Sequence, residues 1–156
     1  AGVKDIFMVD KLPYRVKFAK EFGASESFLL ADDYNKKIKE LTHGMGTTMA
    51  IDTGGTAESI DGCINVSSVN GKVALIGIPE ADFVNYNPHR MRTKELTIKN
   101  VRRSNQTLDD CVKHYTGDNN IEKIISHEFN FEDIQKAFDL VADYGDQVLK
   151  CIIKNN

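Results

Sequence analysis

Short apolar runs alternate along this chain with longer segments whose apolar residues recur at the spacing of a helix. Strands that alternate with helices form βαβ units, in which neighbouring strands are parallel and helices cover both faces of the sheet. The alternation therefore predicts the α/β class with a doubly wound parallel sheet. The apolar runs predict strands at residues 5–10, 27–30, 48–52, 72–78, 96–101 and 148–153, and a short extended piece at 121–127. The segments between them predict helices at residues 13–22, 34–42, 56–68, 106–115 and 131–144.

Two local patterns are predicted to interrupt these elements. Asn70 and Gly71 are residues that favour tight turns, so they predict a turn just before the strand at 72–78. The segment 79–92 begins with Pro79 and shows neither the strand nor the helix periodicity, so we expect it to be irregular.

Composition limits the partners of such a chain. Its 156 residues are 41% hydrophobic and 28% charged, which are the proportions of a globular domain. The net charge of −3 argues against nucleic acid or an anionic membrane as the main partner. In addition, no apolar run approaches the ~20 residues that cross a bilayer. We expect no nucleic-acid partner and no membrane association.

The cysteines and histidines predict reduced thiols and no metal site in this stretch. Cys63, Cys111 and Cys151 lie far apart and are odd in number, which suits a cytoplasmic protein better than a disulfide framework. The four histidines are scattered as well, and no spacing typical of metal ligands, such as C-x-x-C, is present.

In a doubly wound sheet the ligand binds at the carboxyl ends of the strands, and Asp10 closes the first predicted strand. A carboxylate there could accept hydrogen bonds from the adenosine ribose hydroxyls of a dinucleotide, and it would repel the extra phosphate of NADP, so it favours NAD. It could equally be a solvated side chain at a strand end. Arg15 could cover the adenine or the ribose, or it could be a surface arginine.

Three further strand ends offer small or cationic residues. Thr53 and Gly54 follow one buried strand, and Gly77 and Ile78 follow another. Glycine lets a ligand approach the backbone, and main-chain groups near Ile78 could bond a nicotinamide carboxamide, although ordinary loop sequences look the same. Arg103 lies beyond the strand at 96–101, where it could contact a phosphate or a substrate oxygen, or simply be solvated.

The glycine fingerprint G-x-G-x-x-G is missing from the chain. It normally precedes the ribose-binding acid by about 20 residues, and only nine residues stand before Asp10. We therefore expect the first strand and the phosphate-binding loop of a complete fold to lie upstream of Ala1, so that the sheet is incomplete at its N-terminus.

Several segments together resemble the C-terminal half of the medium-chain dehydrogenase/reductase superfamily, of the zinc alcohol dehydrogenase type. These segments are residues 1–10 with Arg15, 51–54, 71–77, 94–98, 131–138 and 148–154, and they occur in the order and spacing of that family. Residues 101–107 are most similar to the polyol branch, the sorbitol and xylitol dehydrogenases. There Arg103 matches an arginine that lies near the nicotinamide and the substrate, whereas Arg102 and Ser104 replace the aromatic residues of that branch.

The resemblance implies a fold and an activity. Residues 1–118 would be part of a Rossmann-like NAD-binding domain, and residues 119–156 a strand-helix-strand segment of a catalytic domain absent from this chain. Asp10 and Arg15 would hold the adenosine ribose, and Gly77 and Ile78 would contact the nicotinamide end. The zinc and its ligands would lie in the absent domain, so this chain would supply no catalytic residue and no metal ligand.

In the parent enzyme, hydride would pass from a small alcohol or polyol to NAD, and the enzyme would be a homo-oligomer. The chain alone is expected to be inactive, with weak or no affinity for NAD. Two other interpretations stay open at this point: a zinc-free quinone reductase of the same superfamily, and a non-catalytic nucleotide-binding or oligomerisation module.

Overall fold

The computed structural model describes residues 2–104, 106–115 and 120–155. Its strands are β1 Phe7–Asp10, β2 Glu26–Leu29, β3 Thr47–Asp52, β4 Ser67–Leu75, β5 Thr97–Asn100, β6 Ile125–Asn130 and β7 Lys150–Lys154. Its helices are α1 Pro13–Glu21, α2 Tyr34–Leu41, α3 Ala57–Val66, α4 Pro88–Thr93, α5 Leu108–Tyr115 and α6 Ile134–Ala142. Short 3₁₀ turns lie at Asn120–Ile124, Phe131–Asp133 and Gly145–Gln147. All the strand pairs are parallel, so the predicted α/β class is confirmed.

The chain divides into two units, the first made of residues 1–32 and 107–156 and the second of residues 33–106. The predicted domain boundary between residues 118 and 119 lies outside the described residues and stays a prediction. No helix in the described ranges is long and apolar enough to cross a membrane.

In the first unit, β1 pairs with β2, and β6 pairs with β7. Helix α1 connects β1 to β2. It begins with Pro13 in its first turn, where the missing N–H leaves no bond unmade, and it buries Ala19. The hydroxyl of Ser27 in β2 donates to the carbonyl of Val16 at 2.7 Å, which fixes the helix against the strand pair.

In the second unit, the strands lie in the order β3-β4-β5, and α3 connects β3 to β4. Thr56 and Ser59 cap the start of α3 reciprocally: each hydroxyl accepts the backbone N–H of the other residue. At the other end, the Lys94 ammonium donates to the carbonyls of Ile64, Asn65 and Ser67 at 2.7–2.9 Å. Buried apolar side chains fill the space between the helices and the sheet: Ile38, Ala50, Ile60, Ile64, Val66, Val73 and Ala74.

The predicted turn at Asn70 and Gly71 is wrong, because β4 runs through both residues. The register against β3 jumps there, from Thr47 opposite Ser67 to Met49 opposite Lys72, and Asn70 takes a left-handed φ of 58°. The Asn-Gly pair therefore forms an irregularity inside a strand, and the Asn70 N–H donates to the Lys94 carbonyl at 2.8 Å.

Two other segments differ from their predictions. The segment predicted to be irregular contains α4, because Pro88 suits a first helical turn and the Asn87 side chain accepts the N–H groups of His89 and Arg90. The piece predicted to be extended from residue 121 is a 3₁₀ turn at Asn120–Ile124, and it becomes a strand only at β6.

Candidate functional site

Asp10 and Arg15 lie together at the carboxyl end of β1. The Leu12 N–H donates to Asp10 Oδ1 at 2.9 Å, which turns the chain from the strand into α1. The other oxygen, Oδ2, lies 3.9 Å from Arg15 Nη1, and the two side chains are 18% and 30% exposed. A part-buried carboxylate beside a guanidinium provides an acceptor and a donor next to each other, and such a pair can bind a hydroxyl-bearing ligand.

Sequence reasoning missed one aromatic residue at this end of β1. The Tyr144 ring lies under two cations, with Lys11 Nζ 4.7 Å and Arg15 Cζ 5.4 Å from its centroid. Tyr144 belongs to the segment between α6 and β7, far along the chain from β1. No local pattern in the sequence could have linked these residues, because only the tertiary fold brings them together.

Asp52, at the end of β3, fastens two loops to each other. Its carboxylate accepts the N–H groups of Gly54 at 3.2 Å and Gly55 at 3.2–3.3 Å, and its side chain is almost fully buried. Its main-chain carbonyl accepts the N–H groups of Ile76 and Gly77, at 2.9 and 3.0 Å. The second pair of bonds ends β4 at Leu75, three residues earlier than the sequence predicted. Asp52 was not among the predicted site residues. The sequence pattern that could have identified it is an acid at the end of a buried strand, followed by glycines.

The two loops touch through their backbones. A Cβ atom on Gly77 would overlap the backbone of Gly55 and would lie 2.8 Å from Asp52 Oδ2. Gly55 has a left-handed φ of 68°, and a Cβ there would lie 2.8 Å from the Ile78 carbonyl. Glycine is therefore required at both positions for one loop to pack on the other. The predicted approach of a ligand to Gly77 stays a prediction.

A pocket of about 360 Å³ opens beside these loops, close to the beginning of α3. This volume lies within the range of small-molecule sites. Gly54 and Ile78, two of the predicted site residues, contribute to its lining, and Glu80 brings one carboxylate. Its walls are formed by Gly54, Gly55, Thr56, Ala57, Ile78, Glu80, Ala81, Phe83 and Val84.

The structure brings most of the predicted site residues together in two groups, one in each unit. Thr53, Gly54, Gly77 and Ile78 meet at the carboxyl ends of β3 and β4 in the second unit, and Asp10 meets Arg15 in the first. Arg103 lies three residues beyond the end of β5, with an exposed side chain and a φ of 35°.

The described residues do not suit a zinc ion. In the part of the chain that the structure covers, no three histidine, cysteine or acidic side chains come together around a common point. Cys63 lies in α3 and is half-buried. Burial, and to a smaller extent the nearby charge of Asp52, raises the pKa of its thiol from 9.0 to about 11.

We expect Cys63 to react slowly with alkylating agents. At pH 8 a pKa of about 11 leaves roughly a hundredfold less thiolate than the ordinary value of 9.0, and the thiolate is the reactive form. Iodoacetamide labelling of the folded chain, followed by peptide mass spectrometry, measures this rate. Cys111 is exposed and serves as the internal control. Equal labelling rates at the two cysteines would contradict the expectation, whereas denaturant should abolish the difference.

The chain is similar to known dehydrogenases along almost its whole length. The family described as zinc-binding dehydrogenases matches residues 1–116. Sorbitol dehydrogenase 1 of Saccharomyces cerevisiae is 27% identical across 97% of this chain and 45% of its own length. L-arabinitol 4-dehydrogenase of Aureobasidium melanogenum is 30% identical across 99% of this chain and 44% of its own length.

The fold also resembles solved structures. The zinc dependent alcohol dehydrogenase 2 from Streptococcus pneumonia superposes with a TM-score of 0.89 at 26% identity, over 97% of this chain and 45% of that one. The chain therefore spans less than half the length of the relatives that it matches.

Proposed function

The chain belongs to the zinc-binding dehydrogenase family, and on that premise we propose that it is the cofactor-binding part of an enzyme that transfers hydride from an alcohol or polyol to NAD. The polyol dehydrogenases among its relatives support the substrate class. The observation that carries the proposal is the part-buried Asp10 carboxylate beside Arg15 at the carboxyl end of β1. Residues 1–118 would belong to the NAD-binding domain and residues 119–156 to a catalytic domain.

Asp10 would bind the adenosine ribose. Its Oδ2 atom would accept hydrogen bonds from the ribose hydroxyls, while Oδ1 stays bonded to the Leu12 N–H. The carboxylate charge would repel a phosphate on the ribose, which favours NAD over NADP. Arg15 would keep the carboxylate oriented and would cover the adenosine.

The loops after β3 and β4 would receive the nicotinamide end. The bonds of Asp52 position Gly54 and Gly77, next to Thr53 and Ile78 in the chain. The largely apolar pocket beside these loops would exclude water from a planar ring. Main-chain groups near Ile78 would bond the carboxamide. Bound NAD supplies the carbon that accepts the hydride, and Arg103 would contact an oxygen of the substrate.

Zinc would be held by residues outside this chain, because the described residues do not provide a ligand group. We expect the isolated 156-residue chain to show no dehydrogenase activity, and the parent enzyme to be a cytoplasmic homo-oligomer.

The test is the affinity of the whole natural protein for NADH, measured by fluorescence titration. We expect Asp10→Ala to weaken binding by about 1–3 kcal/mol, because the ribose hydroxyls lose their acceptor in a part-buried site. The preference for NAD over NADP should fall as well. Asp5→Ala removes the same charge from an exposed position in the same segment and is the matched control. Equal binding by the two variants would contradict the proposal and would favour a non-catalytic module.

A further inference from the structure

We propose that Tyr144 is a positioning residue of the cofactor site, which holds the Arg15 guanidinium at the place where the adenosine end of the dinucleotide binds. The inference rests on the proposed function of Asp10 and Arg15. It adds a residue from the segment between α6 and β7 to a site that the sequence had placed at the end of β1 alone.

The guanidinium of Arg15 is held on several sides. Its Cζ lies 5.4 Å from the centroid of the Tyr144 ring and 5.8 Å from that of Tyr14, and both distances are within the ~6 Å of a cation–π contact. Asp10 Oδ2 lies 3.9 Å from its Nη1 atom. Two aromatic rings and one carboxylate thus restrict a side chain that would otherwise have many rotamers.

Lys11 adds a second cation to the same ring. Its ammonium lies 4.7 Å from the Tyr144 centroid. The ring therefore gathers two positive charges next to the one carboxylate of Asp10. The adenosine end of a dinucleotide brings ribose hydroxyls, which can both donate to the carboxylate and accept from the cations.

The backbone of the turn that carries Tyr144 is strained. Tyr144, Asp146 and Gln147 all have left-handed φ values, of 51°, 42° and 57°. Residues with side chains rarely adopt such values, and they persist only where surrounding contacts impose them. The values therefore indicate that packing around the turn imposes the position of the Tyr144 ring.

Two contacts hold this turn in place. Asp146 Oδ2 lies 3.2 Å from His127 Nε2 on β6. On the other side, the Tyr14 hydroxyl of α1 donates to the Val148 carbonyl at 2.9 Å, and Val148 is almost fully buried. The turn is therefore tied both to β6 and to the helix that carries Arg15, which fixes where the Tyr144 ring can lie.

The first test measures NADH binding by the whole natural protein. We expect Tyr144→Ala to raise the dissociation constant about threefold to tenfold, because the ring contacts with Arg15 and Lys11 are lost. Tyr144→Phe keeps the ring and should stay within about twofold of the wild type. Phe138→Ala removes an exposed aromatic ring from the neighbouring helix α6 and should leave binding unchanged.

The second test asks whether Tyr144 acts through Arg15 and Lys11. If it acts only through Arg15 and Lys11, adding Tyr144→Ala to the Arg15→Ala, Lys11→Ala variant weakens NADH binding no further, because the ring has no cation left to hold. A merely structural role of Tyr144 gives additive losses instead. In steady-state kinetics, Tyr144→Ala should raise the KM for NAD and leave kcat unchanged. Binding of nicotinamide mononucleotide, which lacks the adenosine, should not change.

The outcomes separate this inference from the function on which it rests. Wild-type affinity of Tyr144→Ala together with a loss in Asp10→Ala would overturn the role of Tyr144 and leave the proposed function standing. Additive losses, or a Tyr144→Phe variant as weak as Tyr144→Ala, would also overturn it. Failure of the wild-type protein to bind NADH, or unchanged binding in Asp10→Ala, would overturn both.

Discussion

Replacing Asp52 with alanine is expected to lower the free energy of unfolding of the second unit by about 3 kcal/mol. The carboxylate is almost fully buried and accepts the N–H groups of Gly54 and Gly55. Truncation leaves the buried Gly55 N–H and the part-buried Gly54 N–H without their acceptor, and a buried unpaired donor costs about 1–3 kcal/mol. Denaturant unfolding followed by circular dichroism measures the loss, and amide hydrogen exchange at Gly54 and Gly55 reports where it occurs.

Two variants control this result. Asp52→Asn keeps the shape and one acceptor oxygen but loses the charge that strengthens the bonds, so it should lie between the wild type and Asp52→Ala. Asp82→Ala removes an exposed carboxylate from the loop after β4 and should change stability by less than about 0.5 kcal/mol. If Asp52→Ala were as stable as Asp82→Ala, the carboxylate would not be what fastens the loop.

The helices and strands that the sequence predicted well are those that depend on residues close to one another in the chain. Helix α1 starts at Pro13 because proline suits the first turn, and α2 starts after Asp33 because its side chain accepts the Lys36 N–H. Both signals lie within four residues of the helix start, so no knowledge of the tertiary fold is needed to see them. The alternation of apolar runs likewise depends only on neighbouring residues, and it sufficed for the α/β class.

The ends of β4 depend on other parts of the chain. The strand passes through Asn70, whose N–H bonds the Lys94 carbonyl, and it stops at Leu75 because the following amides turn to the carbonyl of Asp52. The sequence shows that Asn70 and Gly71 favour a left-handed conformation. It does not show that a neighbouring segment will use that conformation inside a strand.

The residues of the candidate site likewise differ in whether the sequence alone could predict them. The contact of Asp10 with Arg15 could be predicted, because Asp10 ends β1 and Arg15 lies in the first turn of the helix that follows. The role of Asp52 could also have been predicted, since its side chain accepts from amides only two and three residues ahead. The role of Tyr144 could not be predicted, because its position beside Arg15 depends on how the segment after α6 packs against α1.

Replacing Gly77 with alanine is expected to destabilise the second unit by about 3 kcal/mol, at the upper end of overpacking effects. The added Cβ would overlap the backbone of Gly55 and would lie 2.8 Å from Asp52 Oδ2. Neither neighbour can yield easily, because Gly55 and Gly77 are both bonded to Asp52. The strain therefore has to open the contact between the two loops, and the pocket beside them should change shape.

Gly54→Ala is the matched control for this change, because it adds the same methyl group to the same pair of loops. A Cβ on Gly54 would lie 3.0–3.1 Å from the Ser59 side chain and 3.7 Å from Asp52 Oδ1, so it requires a shift of only a few tenths of an ångström and meets no backbone atom at these distances. We expect Gly54→Ala to cost less than about 1 kcal/mol in the same denaturant titration. Equal losses in the two variants would show that the loops tolerate a methyl group at Gly77, and the close backbone contact would then not be what requires glycine there.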